Sequence, residues 1–275
     1  HARAIQNNGG EITAVIEKFA DKRTEFASRF KITHKFESLA SALDAVSVDA
    51  LVIGTPNYLH TPQALAALKA HIPVLVEKPM AMNTDEGAYM LEVSLSANTP
   101  LMVAHCWRFD EDVLWLKQHA ARLGRILRTK GYGVHANWGP AGWFTQRALA
   151  GGGALADMGI HAIDTARFLI GDPQPLSVYA KIGTYYKEYD VDDTGVILIE
   201  WDNGTNSYIE SGWWQPHMDG PEAATQLYGR DGFGQLFPTR LELPRTGRDE
   251  ITVIDPGFAF PRAEHCPQGM YDTQM

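Results

Sequence analysis

The chain has 275 residues, 45 % of them hydrophobic and 21 % charged, enough to bury the core of one large or two ordinary domains. Its formal net charge of −9 argues against nucleic acid as a partner, because neutralising phosphates needs a basic face. No apolar run approaches the roughly 20 residues of a membrane span. Cys106 and Cys266 are too few for a zinc cluster or a disulfide scaffold. With no signal-peptide pattern after His1, a reducing, cytoplasmic setting is expected.

The first hundred residues alternate β-rich and helical runs. Strands are expected at 12–16 and 50–54, the second apolar on both faces and closed by Gly54, with a helix over 22–30 between them. A helix follows at 61–70, with Pro62 tolerated in its first turn. Next come a strand at 73–76, a helix at 84–96 and a strand at 101–103. This grammar means a parallel sheet covered on both faces, with ligands beyond the carboxyl ends of its strands. Those ends are the stretches GTPNYLH (54–60) and EKP (77–79).

After residue 104 the pattern changes. A helix near 110–120 leads to a long strand at 126–136 and then to GGGALADMGIHAIDTARFL (151–169), three glycines feeding a helix. Longer strand runs follow at 176–185, 194–201, 205–211, 222–228 and from 233, with Asp202-Asn203-Gly204 and Arg230-Asp231-Gly232 as hairpin turns. This is an α+β domain with an open, mostly antiparallel sheet, so the expected domains are 1–104 and 105–275. The last thirty residues, rich in proline and without periodicity, read as a surface-wrapping tail. No internal repeat is visible.

Asp157 and His161, four apart on a helix, share a face. A carboxylate there can fix the imidazole tautomer and leave the other ring nitrogen to move a proton. A structural Asp–His pair and two ligands of a metal site are the competing readings. Lys78, after an apolar strand and before Pro79, can hold an alkoxide or carbonyl oxygen as a point charge; otherwise it is a solvated lysine. Glu17 closes the first strand, where an acid accepts hydrogen bonds from adenosine ribose hydroxyls and favours NAD over NADP, although Lys18 and Arg23 are near. Alone, it is a surface carboxylate. Trp138, Trp143, Trp213 and Trp214 lie among His135, Asn137, Gln146, Gln215 and His217. Flat rings beside hydrogen-bonding groups suit a sugar or polyol, with core or interface filling as the alternative.

Taken together, TPNYLH (55–60), EKP (77–79), HCWRF (105–109) and GGGALADMGIHAID (151–164) resemble the glucose-fructose oxidoreductase/inositol dehydrogenase family, Gfo/Idh/MocA. The resemblance spans residues 1 to about 240. It implies an N-terminal Rossmann domain, a C-terminal α+β domain whose open sheet serves subunit association, and NAD or NADP lying between the domains. Family members open with a strand and a glycine-rich phosphate loop, for which this sequence contains no counterpart. Residues 1–5 would fall in the following helix, so the Rossmann domain is expected without that first strand and loop. Members also usually continue beyond the equivalent of Met275 with a helical closing segment. By resemblance, Lys78, Asp157 and His161 are catalytic, and Thr55, Pro56, Asn57, His60, Glu77 and Arg108 line the cofactor cleft with Lys78 and Glu17. The Lys78–Pro79 peptide would be cis. His135, Trp138 and Trp143 are the expected substrate contacts, and no metal is expected. The expected activity is oxidation of a secondary hydroxyl of a sugar, cyclitol or related polyol by a homo-oligomer. An NAD-dependent, redox-neutral glycosidase and a non-catalytic dinucleotide or sugar sensor are the alternatives.

Overall fold

The computed structural model describes residues 1–216, 222–244, 250–262 and 266–275. The chain starts with α1 (Ala2–Asn7) and runs through β1 (Ala14–Ile16), α2 (Ala20–Phe30), β2 (His34–Phe36), α3 (Leu39–Leu43) and β3 (Leu51–Ile53). It continues with α4 (His60–Lys69), β4 (Val74–Glu77), α5 (Thr84–Ser96) and β5 (Leu101–Ala104). β1 pairs with β2, and β4 lies between β3 and β5, every pairing parallel. Ala64, Ala67 and Leu68, at helical spacing on α4, bury with Met90 of α5 against Ile53, Val74 and Val76. Each of the larger side chains so buried stabilises by about 1.5–3 kcal/mol. α5 is closed at its start by Asn83, which accepts from the Glu86 amide at 3.0 Å and donates to its carboxylate at 2.9 Å.

The second part opens with a 3-10 turn, Cys106–Phe109, and α6 (Glu111–His119), capped by Asp110. β6 (Ile126–Ala136), α7 (Arg147–Ala150), a π-helical turn (Leu155–Gly159) and α8 (Ile160–Leu169) follow. Then come β7 (Pro175–Gly183), β8 (Thr194–Trp201), β9 (Asn206–Gln215), β10 (Ala223–Gly229), β11 (Phe233–Gln235), β12 (Arg240–Pro244) and β13 (Ile251–Ile254). These strands form one eight-stranded sheet in the order β13-β12-β11-β10-β6-β9-β8-β7, antiparallel except for the β6–β9 pair. α8 covers one face, packing Ala162 and Ala166 on Ile197, Ile199, Trp201 and Ile209. Gly133 in β6 permits close approach of the π-helical turn: a Cβ there would lie 2.6 Å from the Met158 carbonyl oxygen. Period-2 alternation turns Leu198 of β8 to the opposite face, where it is 48 % exposed beside Tyr179 at 66 %.

His1–Thr55, Leu59–Ala104 and Cys266–Met275 make one compact unit; Pro56–Tyr58 and the described residues of His105–His265 make the other. The proline-rich end thus corrects the expectation of a surface tail within a domain of 105–275. Residues 251–254 join the sheet as β13, whereas α9 (Gln268–Gln274) packs on α1 within the first unit. There Asp272 accepts from Asn7 and Asn8, each at 2.8 Å, and Met270 is buried. The helix is too short for apolar periodicity to announce it. Among the described residues no helix is long and apolar enough to cross a membrane.

Candidate active site

In the first unit the carboxyl ends of β1, β3 and β4 carry the expected cofactor residues. Glu17 follows β1, and its carboxylate accepts from the Phe19 amide at 2.8 Å at the entry to α2. Arg23 donates to the Glu17 carbonyl. After β3, the Thr55 hydroxyl donates to Gln63 at 2.9 Å. His60 is 0 % exposed, with Nδ1 and Nε2 each 2.8 Å from a carbonyl oxygen, of Pro79 and Thr55 respectively. The expected cofactor-lining role for His60 is therefore corrected: the buried ring ties two loop carbonyls together and presents no surface to a ligand.

After β4, Glu77 accepts from His1 Nε2 at 2.6 Å and from the Lys78 amide at 3.0 Å. Burial pushes the Glu77 carboxyl up, but the His1 hydrogen bond and charge, with the Lys78 amide and ammonium, outweigh it and hold the group below its ordinary range. Lys78 is half-buried, and its peptide to Pro79 is cis, as the resemblance implied.

In the second unit, Pro56 is half-buried, and the buried Asn57 donates from Nδ2 to the Ala150 carbonyl at 2.8 Å. The three glycines lead into the turn carrying Asp157, and the reason for the last of them is Asp192. Its carboxylate accepts from the Gly153 amide at 2.9 Å and the Leu155 amide at 2.8 Å, while its carbonyl accepts from the Ala154 amide at 2.8 Å. Helix starts leave such amides without intrahelical partners, so a carboxylate there satisfies donors that would otherwise be orphaned. A Cβ at Gly153 would lie 1.8 Å from the Asp192 carbonyl oxygen, so only glycine fits.

Asp157 sits in the π-helical turn and His161 in the first turn of α8. Asp157 Oδ2 accepts from Trp213 Nε1 at 3.1 Å and lies 3.6 Å from His135 Nε2. His161, 8 % exposed, stacks on Trp107 with ring centroids 5.5 Å apart. One residue along from Trp107, Arg108 holds α8: Nε and Nη2 bond Asp164 at 2.7–3.0 Å, and Nη2 bonds Asp172 at 2.8 Å. The Asp164 hydrogen bonds, with the charges of Asp164 and Asp172, raise the guanidinium pKa despite burial that lowers it. HCWRF is thus a support for the helix that bears His161.

Of the expected substrate residues, His135 and Trp138 come together, stacked with centroids 3.6 Å apart, and the indole is 47 % exposed. Trp143 stacks instead on Phe144 at 3.9 Å. Trp213 is 0 % exposed and supports Asp157, which corrects its reading as a sugar platform, and the Trp214 ring lies under Lys187 Nζ at 4.5 Å. His217 lies outside the described residues. Asp192 went unread in the sequence; the adjacent acids Asp192-Asp193 just before β8 are its one visible hint.

Residues 1–105 match the model described as oxidoreductase family, NAD-binding Rossmann fold, and residues 118–233 match that of the GFO/IDH/MocA C-terminal domain. A putative UDP-kanosamine synthase oxidoreductase subunit of Amycolatopsis mediterranei is 31 % identical over 226 residues, 74 % of this chain. The chain spans 61 % of that relative's length. A 1,5-anhydro-D-fructose reductase of Ensifer adhaerens is 29 % identical over 94 % of this chain and 80 % of its own. The fold is similar to that of levoglucosan dehydrogenase in complex with NADH and levoglucosan, with a TM-score of 0.79 and 24 % identity, covering 95 % of this chain and 77 % of that one. The two domain matches, the parallel-sheet unit and the large, mostly antiparallel sheet agree: this chain belongs to the Gfo/Idh/MocA oxidoreductase family.

Proposed function

We propose that this protein oxidises a secondary hydroxyl of a sugar, cyclitol or related polyol with NAD or NADP. The observation that carries this reading is the anchored turn of Asp157 and His161, in a chain whose parallel strands end in Glu17, Thr55 and Glu77-Lys78. Those strand ends suit a dinucleotide, with Glu17 for ribose hydroxyls, Thr55 for the loop beside it, and Glu77 and Lys78 for the remaining polar edge; Pro56, Asn57 and Arg108 of the second unit are proposed as further cofactor residues. Glu17 favours NAD. The nicotinamide of such a cofactor would supply the hydride acceptor for this oxidation. His161 takes the hydroxyl proton as general base, and Asp157 orients it. Lys78 bonds the same oxygen and stabilises its developing negative charge. Trp138, stacked on His135, offers a flat face to the sugar ring, and Trp143 borders it.

The exposed outer face of the eight-stranded sheet, with Tyr179 and Leu198, is proposed as the contact of a homo-oligomer, which light scattering would test. The activity is tested by incubation with polyols and aldoses and either NAD or NADP while following nicotinamide absorbance. Reduction in step with product is expected. Glycoside cleavage that returns NAD unchanged would identify the redox-neutral chemistry instead, and binding without turnover would identify a sensor.

A further inference from the structure

His135 lies between two carboxylates in the second unit. Its Nε2 is 3.6 Å from Asp157 Oδ2, and its Nδ1 is 4.0 Å from Glu222 Oε2. Side-chain exposure is 15 % at Asp157, 10 % at His135 and 35 % at Glu222, so the outlet to solvent lies at Glu222. The ring plane is set by Trp138, which stacks on it with an interplanar angle of 25°. Glu222 is placed by its other oxygen: Oε1 accepts from the Ala136 amide at 2.8 Å and from Trp138 Nε1 at 3.2 Å. Oε2 is left towards the imidazole. His135 Nδ1 is buried, yet among the described residues it makes no hydrogen bond. Proteins rarely keep a buried polar atom in that condition without a use for it.

We infer that His135 and Glu222 carry the substrate proton to water. The inference rests on the dehydrogenase reading above. Oxidation of a CH–OH group yields a carbonyl, a hydride for the nicotinamide and one proton, which must leave before the next turnover. The proton passes from the hydroxyl to His161 and on to Asp157, four positions earlier in the chain. His135 Nε2 takes it from Asp157 Oδ2 while the Nδ1 proton moves to Glu222 Oε2. Glu222 releases it to solvent, and the ring stays neutral with its tautomer reversed. A second transfer or a ring flip restores the starting tautomer. Both gaps exceed a hydrogen bond of about 2.7–3.2 Å by less than one turn of a carboxylate can close.

A purely structural Glu222 would matter only through Oε1. The E222Q variant keeps that acceptor for the Ala136 amide and the Trp138 indole and removes only the proton-carrying oxygen. Polyol oxidation by the parent and E222Q is to be compared at saturating NAD in light and heavy water. The relay gives E222Q a kcat about tenfold lower, roughly 1.4 kcal/mol in barrier. It also gives an unchanged KM for NAD, a larger solvent isotope effect, and rate recovery on adding imidazole buffer that the parent does not show. E222D, which keeps a titratable group, serves if E222Q does not fold; it should retain more rate than its own substitution by alanine and respond to buffer less.

Parental kcat and isotope effect in E222Q would overturn the relay while leaving the dehydrogenase reading intact. So would a loss that buffer fails to restore. A parent that reduces neither NAD nor NADP with any polyol or aldose would overturn both.

Discussion

The two units hold their candidate reactive groups by opposite means. Beside Lys78, the backbone presents carbonyl oxygens, those of Thr55 and Pro79, and the two nitrogens of a buried histidine ring lie 2.8 Å from them. Beside Asp157, the backbone presents amides, those of Gly153 and Leu155, and the Asp192 carboxylate satisfies both. The difference follows from where each turn lies. The start of a helix leaves donors, whereas the loops that follow β3 and β4 present these two carbonyls. Each anchor is thus chosen by the polarity of the backbone it meets, and each tolerates substitution differently.

The largest expected effect is on the group the first anchor serves. K78A should lower turnover about a hundredfold by removing a charge from the substrate oxygen, read by nicotinamide absorbance at saturating cofactor. Next comes the glycine that admits the second anchor. G153A forces a Cβ into the Asp192 carbonyl and should cost about 1–3 kcal/mol in thermal or urea unfolding. At G152A the Cβ would meet an Ala156 methyl at 3.1 Å, so a smaller loss is expected there; equal losses would undo the steric argument.

The anchors themselves come third. D192N retains one acceptor of two, and H60Q presents its donors from one end, so each should lose about 1–2 kcal/mol by stranding one backbone group. If both variants unfold at the parental urea midpoint, the contrast between donor and acceptor anchoring has no energetic content. The smallest effect concerns Glu77. Its carboxyl titrates below the ordinary range, so its charged form adds stability at neutral pH that fades as acid protonates it. E77Q should flatten the acid limb of the stability curve, at and below the ordinary carboxylate range, and leave its slope above pH 6 unchanged.

The candidate reactive residues were legible because their signals are local. Asp157 and His161 stand four apart, and Lys78 ends an apolar strand before a proline. The Thr84–Ser96 helix and the Ile126–Ala136 and Thr194–Trp201 strands emerge with their expected limits because their apolar patterns are long. What escaped is either short or distant. β2 and α3 carry too few buried residues for a period, and α9 hides only Met270 and Gln274. Asp192 bonds an amide 39 positions away, and no spacing rule announces such a pairing. The buried role of His60 was equally hidden, since the two carbonyls it joins meet only once the chain has folded. The insertion of β6 beside β9, the parallel pair in an antiparallel sheet, is likewise a matter of tertiary packing.

The most direct measurement is turnover of the H161N variant beside the parent, on a polyol the parent oxidises, with NAD binding titrated in parallel. Removal of the proton acceptor should reduce turnover about a hundredfold or more while NAD affinity stays within about twofold. Parental turnover in H161N would show that another group takes the proton and that the anchored turn serves only the fold.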